Sequence, residues 1–242
     1  MPKALPRKAL SARKPDAKDA RGRNGQTGCQ IPSADIKAIL TGGKAEPIYI
    51  PFAHLRPTQV AVGMRAVAAK RAKVKARAMC ERKLESYLRQ RPLPAVRGPN
   101  GHIYLVDKHH LGLALVQNRV DGAYVEFIDD LSHLSAQDFW AVMEAEGRTY
   151  LFDESGQRVP PLRLPKMLRD LHADPYRDLA WTLREAGCFK KVRVPFSEFR
   201  WAAFFRARIE EKVVRANYPR AVEIAAALAA TKAASTLPGY LR

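Results

Sequence analysis

The sequence predicts an α+β fold, and three observations carry that prediction. Short apolar runs bounded by turn residues read as strands, at 48–50 and 123–128. Two further runs flank Asn100-Gly101 and read as a hairpin, because Asn and Gly both tolerate positive φ at a two-residue turn. Longer segments with apolar residues at helical spacing lie between and after them, in no regular strand–helix alternation.

Each element follows from local chemistry. Residues 1–45 hold ten Lys/Arg against three Asp and almost no large apolar side chains. Such a segment cannot bury enough area to offset its ordering entropy, so a disordered basic arm is expected, with at most a helical turn at Ile36, Ile39 and Leu40. A folded domain is expected over 46–212 and a helical extension over 213–242. Ile48-Tyr49-Ile50-Pro51 reads as an edge strand, since Pro51 cannot donate to a ladder. Thr58 is positioned to cap the next helix. A helical run spans about 64–90, with Val67, Val74, Ala78, Leu84 and Leu88 as its apolar stripe.

After the hairpin, Ile103-Tyr104-Leu105-Val106-Asp107 reads as a strand ending on an acid, and Leu111 to Leu115 as an apolar helix. Ser135 with Asp138 gives a capping-box-like helix start carrying Phe139, Trp140 and Met143. Residues 150–159 read as a surface hairpin or turn. Asp174-Pro175 opens a helix in cap-then-proline order, with Tyr176, Leu179, Ala180 and Leu183 buried and Gly187 ending it. Ser197 is placed to cap a helix carrying Phe199, Ala202, Ala203, Phe205 and Ile209 as core. An Ala-rich helix over about 220–234 precedes a Pro-Gly terminus.

Composition narrows the function classes. The formal charge of +18 and pI of about 10.1 favour polyanionic partners: nucleic acid, nucleotides or an anionic surface. Arg65, Lys70, Arg71, Lys73, Lys75 and Arg77 make the 64–90 helix strongly cationic, able either to lie along a phosphate backbone or simply to face solvent. Three scattered cysteines, with no CxxC pair, argue against a disulfide framework or thiolate zinc site. No apolar run approaches the ~20 residues that span a bilayer, and the basic N-terminus lacks the core of a signal peptide. A cytoplasmic protein is expected.

The chemistry concentrates at Asp107-Lys108-His109-His110. Strand end, polar cluster and helix start fall together there, and a helix N-terminus favours anions. Asp107 can orient a magnesium ion or act as general base. Lys108, His109 and His110 can stabilise phosphate charge. Adjacent histidines diverge by about 100° on a helix, so one points into a site while the other hydrogen-bonds structurally. Neither a zinc-spaced histidine pair nor a Walker loop is present.

Leu55-Arg56-Pro57-Thr58-Gln59 with Gly63, Pro94-Ala95-Val96 before Gly98-Pro99-Asn100-Gly101, and Leu105 through Leu111 form a series of separated motifs. Asp174-Pro175-Tyr176-Arg177-Asp178-Leu179-Ala180-Trp181 and Glu198-Phe199-Arg200-Trp201-Ala202 continue it. In that order, across residues 49–208, they resemble the ParB-like nuclease family of the wider ParB/sulfiredoxin-like fold. The resemblance implies a small mixed β-sheet with surrounding helices about a phosphate-binding turn, followed by C-terminal helices. It implies nuclease or nucleotide-dependent phosphoryl-transfer chemistry, with Thr58 and Gln59 helping to position the substrate. A nucleotide (ATP/ADP or CTP) and Mg²⁺ are the cofactors it brings forward. The alternative is a non-catalytic, chromosome-partitioning-like DNA-binding module using the basic arm and helix. Lys108 and His109 occupy the place of the sulfiredoxin cysteine, so peroxiredoxin repair is not expected. The Glu-Arg-Arg pattern of the partition proteins and a subsequent helix-turn-helix are also missing, which weakens the case for sequence-specific centromere binding.

Overall fold

A computed structural model describes residues 46–241; the basic arm and Cys29 lie outside them. Seven strands, β1 (Ile48–Pro51), β2 (Leu55–Pro57), β3 (Ala61–Val62), β4 (Leu93–Arg97), β5 (Ile103–Leu105), β6 (Gly122–Asp130) and β7 (His172–Ala173), form two sheets. The larger has the order β1-β6-β4-β5-β2 and is mixed: β1/β6 and β4/β5 are antiparallel, β4/β6 and β2/β5 parallel. Pro51 and Pro57 lie on its two edge strands, where a missing N–H leaves no ladder bond broken. In the β4–β5 turn Asn100 and Gly101 both take positive φ, 58° and 72°. The register of β4 against β6 slips between Ala95 and Val96, leaving Ile128 unpaired and exposed.

Eight α-helices accompany the sheets among the described residues: α1 (Met64–Ala78), α2 (Glu81–Arg89), α3 (His109–Gln117), α4 (Ala136–Ala145), α5 (Pro175–Glu185), α6 (Ser197–Arg206), α7 (Glu211–Ala216) and α8 (Tyr218–Ala229). One core packs α1, α2 and α3 against the sheet through Val67, Val74, Leu88, Leu105, Leu115 and their neighbours. A smaller one sets α4 against Val96 and Tyr104 through Phe139 and Met143. A third gathers α5, α6, α7 and α8 around Trp201, Leu183 and Phe205. The expected α+β fold with a small mixed sheet is therefore the fold observed.

Several local expectations are corrected. The run over 64–90 is two helices with a break at Met79-Cys80. Val67 and Val74, seven apart, share a face; Leu84, ten residues beyond Val74, falls about 80° out of phase at about 100° per residue. Breaking the helix lets Leu84, Tyr87 and Leu88 reach the core that Val67 and Val74 already face, while Ala78 is exposed. Thr58 caps no helix: β3 comes after it, and α1 starts after Gly63. Phe196, in the left-handed region at φ 57°, precedes α6 instead of a Ser197 cap. Its ring packs 5.2 Å from Tyr150 and 5.4 Å from Phe199, which sets the entry of the chain. Finally, the last helix is α8 plus a separate turn over Lys232–Ala234, and Ala203 faces solvent. Ser135 and Asp174 do cap α4 and α5, accepting from the Asp138 amide and from the Tyr176 and Arg177 amides.

Candidate functional site

At the strand-to-helix corner between β5 and α3, Lys108 takes a left-handed backbone, φ 62°, rare for a side chain other than Asn or Gly. Its amide donates to Asp107 Oδ1 at 2.6 Å, and its Nζ donates to the Pro92 carbonyl at 2.6 Å. The strained residue is thus clamped at both ends. Strain of this kind concentrates at functional sites. The turn leaves Asp107 exposed at the rim of a cavity of about 190 Å³.

His109 is buried in the wall of that cavity. Its Nε2 accepts the Thr58 amide at 3.1 Å, so the ring is neutral with its proton on Nδ1. Burial above all, with Arg177 nearby, lowers its pKa to about 3 despite an opposing hydrogen bond to the Leu105 backbone. Thr58 is equally committed: its hydroxyl donates to Leu105 O at 2.8 Å, and its carbonyl accepts from the Tyr150 amide and the Thr149 hydroxyl. His110 lies half-buried beside them; desolvation, Arg177, His109, Lys70 and Arg184 hold its pKa well below the usual imidazole value.

The opposite wall comes from α5, α6 and the loop joining them. Arg177, on α5, is 4% exposed, and its Nε and Nη1 find no hydrogen-bond partner among the described residues. Its Cζ lies 3.4 Å from the Phe199 ring centroid, and Phe199 packs 3.9 Å from Tyr150. Desolvation outweighs the help of Asp174 and Tyr150 and lowers its pKa to about 10. Gly63 makes this placement possible: a Cβ there would come within 2.9 Å of Asp178 Oδ1 and 3.1 Å of the Arg177 carbonyl carbon. Arg184 pairs with Glu198 and Glu185. Lys190 and Lys191, exposed on the α5–α6 loop, complete the rim. The loop is tied from beyond α8, since Lys190 N donates to Gly239 O at 2.7 Å and Trp201 Nε1 to Pro238 O at 2.8 Å.

Of the residues singled out by sequence, the fold brings Asp107, His109, His110 and Gln59 to this cavity. Lys108 and Thr58 stand behind it, engaged as described. Among the helix cations, Arg65 lies 3.6 Å over the Tyr218 ring, and Arg77 donates to Lys73 O and covers Tyr87. Lys70, Arg71, Lys73 and Lys75 are exposed. Of these Lys70 feels the site: desolvation first, then Lys73, Arg184 and Lys191, lower its pKa while Asp107 opposes them. Sequence reasoning assigned no role to Arg177, Arg184, Lys190 or Lys191. Arg177 was visible in the Asp174-Pro175-Tyr176-Arg177 run, but nothing local marks it as facing a site some seventy residues upstream. Among the described residues no three His, Cys, Asp or Glu side chains converge as a metal cage would require.

Comparison with known proteins agrees with this architecture. The family described as "Putative ParB-like nuclease" matches residues 48–207. The crystal structure of protein Atu1540 from Agrobacterium tumefaciens is similar at a TM-score of 0.73 and 38% sequence identity, over 80% of this chain and 96% of that one. No curated protein matches the chain. The matched span takes in well over half of the sequence, including both the Asp107 corner and the Arg177 helix, and so the chain belongs to the ParB-like nuclease family.

Proposed function

We propose that this chain is a phosphate-handling enzyme, hydrolysing or transferring a phosphoryl group of a nucleotide or nucleic acid at the Asp107 corner. One observation carries the reading: a cavity in which a carboxylate with no ion-pair partner among the described residues faces a surplus of cationic side chains, against a strained strand–helix turn. Phosphoryl transfer asks chiefly for positioning and for positive charge at the equatorial oxygens. Asp107 would take the proton of the attacking water or hydroxyl. Arg177, Lys190 and Lys191 would hold the phosphate oxygens. His110, neutral near pH 7, would act through a hydrogen bond. His109 is a positioning residue in this scheme, because its free nitrogen is already spent on Thr58. Magnesium commonly binds through one or two carboxylates plus substrate phosphates, and Asp107 is the residue that would receive it.

The test is a panel of nucleotides, phosphate esters and oligonucleotides, with and without Mg²⁺, on the wild-type chain and on Asp107→Asn. Loss of a general base lowers turnover by roughly 10²–10⁴-fold. An Asn variant with undiminished turnover removes Asp107 from the chemistry.

A second reading has its own support. Arg71, Lys73 and Lys75 stand exposed on α1, and a groove between α1 and α2 is lined by Arg77, Arg82, Lys83 and Arg91 with no carboxylate. These features suit a backbone-binding module for nucleic acid. Its affinity should fall steeply with salt, as counterion release demands. Failure to retain DNA at low salt ends that reading.

A further inference from the structure

The cavity holds a charge that the fold leaves unanswered. Arg177 is buried, and two of its guanidinium nitrogens have no hydrogen-bond partner among the described residues. The neighbouring carboxylates are occupied elsewhere. Asp174 gives Oδ1 to the amides of Tyr176 and Arg177 and Oδ2 to Arg206 at 2.6 Å. Asp178 Oδ1 accepts the Arg65 amide at 2.7 Å. The Phe199 face offsets part of the lost solvation by cation–π attraction, but a ring cannot accept the N–H bonds as an oxygen would. A buried, unpaired cation is strongly unfavourable. It makes physical sense where an anion arriving from outside completes the pair.

We propose that Arg177 anchors an anion subsite in this cavity, and that the group it takes is a terminal phosphate, a phosphomonoester dianion. The proposal rests on the reading of this cavity as the site of phosphate chemistry. Volume and charge select the ligand class. The cavity measures about 190 Å³ and opens to solvent. It takes a phosphate with part of its hydration, and is smaller than the ~300 Å³ from which drug-sized ligands are enclosed. Sugar and base therefore stay outside. Arg184 and Glu198 satisfy each other, which leaves Arg177, Lys190 and Lys191 facing the single carboxylate of Asp107. Three lining cations against one anion, with neutral histidines and Lys70 close by, is an excess of at least two positive charges. A dianion balances it; the single charge of an internal phosphodiester does not.

The experiment is a titration of the full chain with inorganic phosphate, read by thermal shift and calorimetry, and then with dinucleotides that carry or lack a 5′-terminal phosphate. Wild type should gain about 5–10 °C in Tm at phosphate ~100-fold above Kd. Arg177→Met should be at least as stable as wild type without phosphate and show no phosphate shift. The 5′-phosphorylated dinucleotide should bind at least tenfold tighter than its hydroxyl counterpart. No wild-type shift, an equal shift in Arg177→Met, or equal affinity of the two dinucleotides overturns the proposal. If the Met variant does not fold, Arg177→Lys serves: it keeps the charge but not the planar donors, so phosphate affinity should fall at least tenfold, and unchanged affinity overturns the assignment. Asp107→Asn separates this from the chemistry, since it should bind phosphate at least as tightly as wild type. Arg177-dependent binding without turnover in any assay sinks the enzymatic reading alone. Turnover without such binding sinks the subsite alone.

Discussion

Acid should destabilise this protein through His109, and His109→Gln isolates the effect. In the folded state the imidazole is buried, its Nε2 accepts the Thr58 amide, and its pKa is lowered to about 3. An unfolded chain protonates the same ring near 6.5. The depressed folded value means that the contribution is complete above pH 6.5 and is lost as pH falls toward 3, because only the unfolded state gains the proton. The loss runs at about 1.4 kcal/mol per pH unit, so between pH 7.5 and pH 5 it amounts to about 2 kcal/mol. Glutamine offers an oxygen to the Thr58 amide and does not titrate. Urea unfolding of both proteins at pH 7.5, 6 and 5, at fixed ionic strength, provides the comparison. At pH 7.5 the variant should be less stable, from imperfect packing. By pH 5 the gap should have narrowed by about 2 kcal/mol, with m-values unchanged. Asp178, raised to about 6 chiefly by burial, titrates in both proteins and cancels in the difference. A gap that stays constant over this range refutes the assignment of His109 as a buried neutral acceptor.

Three substitutions test other joints of the site. Gly63→Ala should destabilise by about 1–3 kcal/mol and weaken phosphate binding, because the new Cβ meets the backbone of Arg177 at 3.1–3.2 Å; a gain in urea midpoint, ordinary for Gly→Ala at a permissive backbone, would contradict the close α1–α5 approach. Gly239→Val should lower both Tm and phosphate affinity, since φ is +78° and a Cβ would lie 2.1 Å from Lys190 O; unchanged affinity would show that the Lys190 loop does not depend on the C-terminal segment. Thr58→Val should lose about 0.5–1.5 kcal/mol in urea unfolding, because the Leu105 carbonyl loses the hydroxyl that donates to it while keeping its bond from His109.

Much of the fold was legible because its signals are local. Asn100-Gly101 marked the β4–β5 reversal with two residues that take positive φ, although the connection, with a turn over Pro99–Gly101, is wider than the two-residue turn expected. Ser135 and Asp174 announced helix starts by supplying oxygens to orphan amides. Where local and tertiary demands conflicted, the tertiary demand prevailed. A continuous helix over 64–90 satisfies propensity, yet it would carry Leu84 about 80° off the face that Val67 and Val74 bury, so the chain breaks at Cys80. Ser197 is a good cap residue, but the packing of Phe196 on Tyr150 decides how α6 begins.

For the site, the sequence by itself determined one wall: an acid and two histidines where a strand passes into an apolar helix, in a strongly basic chain. Tertiary structure decided the rest. It turned Lys108 onto Pro92, spent His109 on Thr58, and brought Arg177, Lys190 and Lys191 across from residues more than sixty positions away. Hydrogen-bond partners and burial, unlike turn and cap signals, depend on chain segments that meet only after folding. No periodicity in α5 distinguishes an arginine bound for solvent from one buried without a partner against Phe199.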